Sequence, residues 1–93
     1  VYADNETKAD KAVSAASNLV AQGVSIVLGT YGSRQAIAAS ETFKEAGIPA
    51  MGVTCTNPQI TEGNSHYFRI CFTDPFQGPV LASLAKDELR STA

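Results

Sequence analysis

Residues 25–35 constrain the fold of this chain most, because a buried strand, a tight turn and a helix start follow one another there. The apolar run from Ile26 to Leu28 is typical of a strand buried in a parallel sheet. Gly29 and Gly32 allow the backbone to turn sharply and to approach a bound molecule closely. Ser33 occupies the position expected of a helix N-cap. A helix start with free N–H groups and a hydroxyl predicts a site for a carboxylate or phosphate.

Strand and helix patterns alternate along the rest of the chain. The predicted strands are residues 1–3, 25–29, 50–53 and 67–72. The amphipathic spacing predicts three helices with N-caps at Thr7, Ser33 and Asp74, and Gly23 and Gly47 are placed to end the first two. This alternation predicts an α/β fold with three layers, in which helices cover both faces of a parallel sheet.

Polar loops follow two of the predicted strands at their carboxyl ends. They are residues 29–33 and residues 54–57. Because the carboxyl ends of parallel strands meet at one edge of a sheet, we expect the two loops to lie together. Ligands of such sheets bind at this edge, so two separate signals predict one site.

Composition and charge exclude several classes of protein. The 93 residues allow at most one domain, and 44% apolar with 17% charged residues is typical of a globular chain. The net charge of −2 and the lack of a basic patch argue against a nucleic-acid partner. No apolar run approaches the ~18 residues of a membrane span. The chain does not begin with Met, so the lack of a visible leader says nothing about its compartment.

The reactive and charged side chains predict no catalytic or metal centre. Cys55 and Cys71 lack the spacing of metal ligands, although they could pair with each other, so no metal or cofactor is expected. Cys55 and His66, the one histidine, lack a third partner, which favours an inert cysteine over a nucleophile. Arg69, within a strand, is predicted to form a structural ion pair, with Asp74 as the candidate partner.

Five motifs succeed one another along nearly the whole chain. They are Val1-Tyr2-Ala3-Asp4-Asn5-Glu6, Lys11-Ala12-Val13, Leu28-Gly29-x-x-Gly32-Ser33, Thr54-x-Thr56-Asn57-Pro58 and Phe68-Arg69-Ile70-Cys71-x-x-Asp74-x-x-Gln77-Gly78. This succession resembles the branched-chain amino-acid-binding proteins of ABC transporters, the type I periplasmic binding proteins. The resemblance implies two flavodoxin-like α/β lobes joined by a hinge, with the ligand between them. Residues 1–93 would form part of the N-terminal lobe, without the first strand, which lies between the strands at residues 1–3 and 25–29.

The resemblance also implies a set of ligand contacts. Ser33 would bind the α-carboxylate of an amino acid, Thr54 would contribute backbone contacts, and Thr56 would contribute its backbone and its hydroxyl. Gly32 and Tyr31 belong to the same turn, and Tyr31 could either flank the ligand or cover the loop. The acidic partner of the ligand's ammonium group would come from the other lobe. Such a site needs no Arg or Lys, because a hydroxyl and several N–H groups can hold a carboxylate.

The resemblance implies a solute-binding protein without catalysis, which is periplasmic or extracellular and delivers an amino acid or related carboxylate to a membrane permease. A ligand-sensing receptor of the same fold is one alternative. A small flavodoxin-like enzyme or phosphate-binding domain is another, and it would place phosphate or a nucleotide at Ser33 beside a reactive Cys55. The turn is too short for a phosphate fingerprint, and no Gly-Lys-Ser/Thr follows it. The simplest alternative makes Ser33 an N-cap only, and Thr54 and Thr56 turn formers.

The predicted loss of the first strand has a physical consequence for the chain by itself. Residues 1–3 and 25–29 would lack their central neighbour. We therefore expect the isolated chain to pair these edges abnormally or to associate with another chain, unless it is cut from a larger protein. Ligand binding by the isolated chain should be weak, because no second lobe closes over the site.

Overall fold

The computed structural model describes residues 1–92 and alternates helices with parallel strands. The elements are α1 (Ala9–Ala21), β1 (Val27–Leu28), α2 (Ser33–Glu45), β2 (Ala50–Gly52), a 3-10 turn (Pro58–Ile60), β3 (Tyr67–Arg69), and α3 (Asp74–Ser83), which continues as a wider helical turn (Leu84–Glu88). The predicted α/β fold with a parallel sheet and helices is confirmed. The strands are shorter than the sequence pattern predicted.

The three strands pair in the order β1-β2-β3, and all are parallel. Val27, Ala50 and Tyr67 lie side by side in register and are at most 8% exposed. Successive strand residues face opposite sides of a sheet. The next row of the register, which includes Leu28 and Phe68, therefore faces the other side, and these two residues are 76% and 50% exposed. The buried row belongs to the main apolar core, and the other row is open, so within residues 1–92 helices do not cover both faces of the sheet as predicted.

Two alanine-rich helices cover the buried side of the sheet. α1 packs against α2, and the buried residues of α1 are Ala12 and Ala16. On α2 the small side chains of Ala36 and Ala39 are buried, and Phe43 fills the remaining space in the core. Small residues allow the helices to approach each other closely, which is the role the sequence pattern predicted for the narrow apolar face of α1.

The helix ends differ from the prediction at their starts. Thr7 does not cap α1, because it lies in a turn with a φ angle of +57° and Lys8 takes the cap position. The caps of α2 and α3 are each one residue earlier than predicted, at Gly32 and Thr73. The left-handed stops are confirmed, since Gly23 and Gly47 have φ angles of +74° and +70°.

Residues 1–3 do not form the predicted strand. Val1 and Tyr2 are 87% and 94% exposed, and β1 pairs only with β2 within residues 1–92. A cleft of about 280 Å³ lies between residues 1–3 and the strand β1. The segment is not a strand because no neighbour within residues 1–92 offers it the backbone groups that would complete a ladder.

The last helix does not contribute to the core. α3 has no buried residue, although its sequence is largely apolar. Its exposed apolar side chains are Phe76, Val80 and Leu81. No helix within residues 1–92 combines the length and the apolar character that a membrane crossing requires.

Candidate functional site

Two loops meet at the carboxyl edge of the sheet, as predicted. They are residues 29–32, between β1 and α2, and residues 53–57, after β2. The Thr54 hydroxyl donates to the Tyr31 carbonyl at 2.6 Å, and the Cys55 thiol donates to the Thr30 carbonyl at 3.1 Å. These bonds join positions 23 and 25 residues apart in the chain, so they fix one loop against the other.

Ser33 lies at the centre of this edge as the first residue of α2. Its hydroxyl oxygen makes no capping bond to the helix, which corrects its prediction as the N-cap. The oxygen instead accepts the backbone N–H of Asn57 at 3.2 Å. The hydroxyl proton consequently stays available to donate to a further group.

The first turn of α2 supplies further donors. The backbone N–H groups of Ser33, Arg34 and Gln35 make no hydrogen bond within residues 1–92. The N-terminus of a helix carries partial positive charge from such unsatisfied groups. This end of α2 therefore favours an anion, and the Ser33 hydroxyl lies beside it.

The structure gives the two predicted threonines different environments. The Thr54 hydroxyl is already committed to the Tyr31 carbonyl, which leaves only its backbone for a ligand. The Thr56 hydroxyl has no hydrogen-bond partner within residues 1–92, and the Thr56 carbonyl accepts the N–H of Asp74 at 2.9 Å. This pattern agrees with the backbone role predicted for Thr54 and the added hydroxyl role predicted for Thr56, and both remain predictions.

The turn before Ser33 contains the other two predicted contacts. The Tyr31 side chain is 85% exposed, so it does not cover the loop, and its place beside a ligand remains a prediction. Gly32 lies under the side chain of Gln35, and a Cβ atom at position 32 would overlap Gln35 Oε1. Gln35 is buried and donates from Nε2 to the Thr7 carbonyl at 2.8 Å. Gly32 thus allows Gln35 to fold back and connect α2 to the segment before α1.

Arg69 does not form the predicted ion pair with Asp74. No carboxylate within residues 1–92 lies within 4.0 Å of the Arg69 guanidinium. It makes four hydrogen bonds to neutral acceptors, the carbonyls of Cys55, Asn57 and Pro58 and the hydroxyl of Thr61, at 2.6–3.1 Å. The prediction was wrong about the partners because every residue has a backbone carbonyl, and the sequence does not indicate which of them accept hydrogen bonds from Arg69.

Burial controls the titration of two side chains behind the site. The Tyr67 hydroxyl donates to the Gly29 carbonyl at 3.0 Å, and burial raises the pKa of Tyr67 to about 12. Burial also raises the pKa of the Cys55 thiol, whose side chain is fully buried. His66 precedes β3 and lies at the opposite end of the sheet, because its carbonyl accepts the first N–H of β2. Cys55 and His66 therefore do not form a nucleophilic pair.

The cysteines and the other candidate metal ligands within residues 1–92 form neither a disulfide nor a three-residue cluster. Cys55 and Cys71 are both free thiols. Within these residues no three side chains of His, Cys, Asp or Glu come close enough to share a metal ion. The groups that converge at the sheet edge are hydroxyls and backbone N–H groups, which hold carboxylates by hydrogen bonds.

The fold and this edge are those of an α/β ligand-binding domain, whose polar loops follow the carboxyl ends of parallel strands. Residues 1–92 match the family model described as periplasmic binding protein. The chain therefore belongs to the periplasmic binding protein family, and the predicted resemblance is confirmed.

Similar proteins support this assignment. An amino acid binding protein of Pseudomonas aeruginosa is 41% identical over 93 residues, which cover 98% of this chain and 25% of that protein. The Leu/Ile/Val-binding protein homolog 1 of Brucella abortus is 34% identical over 88 residues, which cover 94% of this chain and 24% of that protein. This chain thus spans about a quarter of the length of these curated relatives.

A solved structure extends the likeness to three dimensions. It is the substrate-binding protein LivJ of a branched-chain amino acid transporter from Streptococcus pneumoniae, in complex with isoleucine. The superposition has a TM-score of 0.92 at 32% identity and covers 97% of this chain and 26% of LivJ. The fold of residues 1–92 is therefore that of one quarter of a branched-chain amino-acid-binding protein.

Proposed function

We propose that the protein containing this chain is the solute-binding component of an ABC transporter, and that residues 1–93 form part of its N-terminal lobe. Family membership and the likeness to amino-acid-binding proteins support this role. The coverage of about a quarter of each relative supports the assignment to a partial lobe. The protein would hold its ligand between two lobes and deliver it to a membrane permease, from the periplasm or the cell exterior.

The bond between Asn57 N–H and Ser33 Oγ is the observation that carries the proposal. It leaves the Ser33 proton free beside the donors of the first turn of α2. Charge-assisted hydrogen bonds to a carboxylate are worth roughly 1.5–3 kcal/mol each. A few of them, with closure of a second lobe that excludes water, would be enough for micromolar binding of a small amino acid.

The proposed ligand is an amino acid of the branched-chain type or a related carboxylate. Isoleucine is the ligand in LivJ, and the Brucella relatives are named for leucine, isoleucine and valine. Ser33, Gly32, Tyr31, Thr54 and Thr56 would contact the carboxylate end, and the other lobe would supply the partner of the ammonium group. Catalysis is not part of this function, and the burial of Cys55 argues against the enzyme alternative.

Calorimetry on the complete gene product tests the proposal. The ligands are leucine, isoleucine, valine, other amino acids, aromatic acids and inorganic phosphate, and the variants are Ser33→Ala and Ser40→Ala. Ser40 lies on the same helix, and its hydroxyl bonds only to the Ile37 carbonyl. We expect one class of amino acid to bind, with a large loss in Ser33→Ala and none in Ser40→Ala. Binding of phosphate alone would overturn the proposal in favour of the phosphate-binding alternative.

A further inference from the structure

The guanidinium of Arg69 donates several hydrogen bonds to the loop that contains Thr56. Nη1 donates to the carbonyls of Cys55 at 3.1 Å and Asn57 at 2.9 Å, and Nη2 donates to the carbonyl of Pro58 at 3.1 Å. Nη2 also donates to the Thr61 hydroxyl at 2.6 Å. The acceptors lie on both sides of Thr56 in the sequence, so one planar guanidinium holds the loop before and after this residue.

The hydrogen bonds from Arg69 also fix the direction of a peptide N–H group. In a trans peptide the C=O and N–H groups point in opposite directions. Because the Cys55 carbonyl points at Arg69, the N–H of Thr56 points away from the guanidinium. The next peptide is fixed as well, since the Thr56 carbonyl accepts the Asp74 N–H and the Asn57 N–H donates to Ser33. The N–H of Thr56 has no hydrogen-bond partner among residues 1–92.

The charge of Arg69 is the second part of the argument. All four of its acceptors are neutral, and no carboxylate within residues 1–92 forms an ion pair with it. A cation that holds a carbonyl polarises the attached peptide, so the N–H at the other end becomes a stronger donor. The anion site at the sheet edge thus has a positive charge one peptide unit behind it, although no Lys or Arg side chain needs to contact the ligand.

We infer that Arg69 is a positioning residue for ligand binding, which orients the Cys55–Thr56 peptide and strengthens its N–H as a donor to the ligand's carboxylate. This inference rests on the proposed function and deepens it, because it assigns the counter-charge for the carboxylate. The effect passes through the backbone, so it depends on the negative charge of the ligand. A residue that only stabilises the fold would affect charged and neutral ligands alike.

A comparison of leucine with leucinamide, which has a neutral carboxamide in place of the carboxylate, tests the inference. Calorimetry on the complete gene product would compare Arg69→Met and Arg69→Lys with the unsubstituted protein. Lys44→Met is the matched control, because it also removes one positive charge, and Lys44 bonds to Glu41 and the Gly63 carbonyl away from the site. We expect Arg69→Met to lower leucine affinity about tenfold, the equivalent of one charge-assisted bond, with little change for leucinamide.

Each outcome decides the inference. Arg69→Lys keeps the charge but cannot hold all four acceptors, so its leucine-to-leucinamide ratio should fall between those of the unsubstituted protein and Arg69→Met. If Arg69→Met does not fold, an unchanged ratio in Arg69→Lys overturns the inference, and a lowered ratio supports it. Equal losses for both ligands show a purely structural role and overturn it. No binding of leucine by the unsubstituted protein overturns the proposed function, and this inference with it.

Discussion

The backbone N–H of Asn57 donates to the hydroxyl oxygen of Ser33 across 3.2 Å and thereby joins the loop after β2 to the first residue of α2. Ser33 is the first residue of α2 and not its cap, and its oxygen accepts a bond from the neighbouring loop. It also connects the two predicted halves of the site. A substitution at Ser33 should therefore affect stability as well as ligand binding.

Ser33→Ala should lower the free energy of unfolding by about 1 kcal/mol in the absence of ligand, because the Asn57 N–H loses its acceptor in a half-buried position. Urea unfolding of the complete gene product measures this loss. Ser40→Ala is the control, and its loss should stay within about 0.5 kcal/mol because its bond lies within one helix turn. Equal losses in the two variants would show that the bond to Asn57 contributes nothing specific.

Gly32 and Gln35 should be coupled in a double-mutant cycle. In Gly32→Ala the new Cβ displaces the end of the Gln35 side chain, which then loses its bond to the Thr7 carbonyl, at a cost of about 1 kcal/mol. Gln35→Ala removes the same bond and also the obstacle. We expect the double variant to be more stable than the sum of the two losses predicts, as judged by urea unfolding. Strictly additive losses would contradict the contact.

The meeting of the two loops could be predicted from the sequence, because alternating strands and helices require a parallel sheet whose carboxyl ends share one edge. The ends of the first two helices at Gly23 and Gly47 could also be predicted, since a left-handed stop favours glycine. These features depend on local residue type and on general topology. Local residue type and the alternation of strands and helices can both be recognised in the sequence.

The role of Arg69 could not be predicted in the same way. Its acceptors are mostly backbone carbonyls, which every residue has, so no pattern of side chains identifies them. The only signal was a charged residue inside a strand, and a carboxylate partner was the natural expectation. The strand predicted at residues 1–3 failed for a related reason, because pairing depends on a neighbour and not on propensity alone.

The two cysteines should differ strongly in their reaction with a thiol reagent such as dithionitrobenzoate. Cys55 is fully buried, and burial raises the pKa of its thiol, so little reactive thiolate forms. Cys71 is partly exposed. We expect Cys71→Ser to react only as fast as the protein unfolds, whereas Cys55→Ser reacts readily in the folded state. Fast reaction of Cys55 in the folded protein would revive the enzyme alternative.

The free energy of unfolding should fall at high pH because Tyr67 is buried as a neutral phenol. Burial raises its pKa from 10.0 to about 12, so the neutral phenol is favoured in the folded state. The contribution of this neutral phenol to the free energy of unfolding is fully present below pH 10, where Tyr67 is also protonated in the unfolded chain. It is lost as the pH rises towards 12. Urea unfolding between pH 8 and pH 11 should show a steeper decline for the unsubstituted protein than for Tyr67→Phe. Parallel declines would contradict this origin.

The isolated 93-residue chain should self-associate, because no strand within residues 1–92 lies beside the outer edge of β1. Leu28 on this edge is 76% exposed, and its row of the sheet register is open to solvent. Unpaired edges and exposed apolar surface both promote association between copies. Sedimentation velocity over a range of concentrations should therefore show a shift from monomer to larger species.

Two leucine substitutions distinguish association through this sheet edge from association through exposed apolar side chains elsewhere. Leu28→Lys places a charge on the open edge and should shift the 93-residue chain towards the monomer, because charged residues block strand pairing. Leu89→Lys is the matched control, since Leu89 is 68% exposed but lies beyond the last helical turn. If the two substitutions reduce association equally, the contact surface is not the sheet edge. A chain that stays monomeric at every concentration would show that the open edge is protected without a partner.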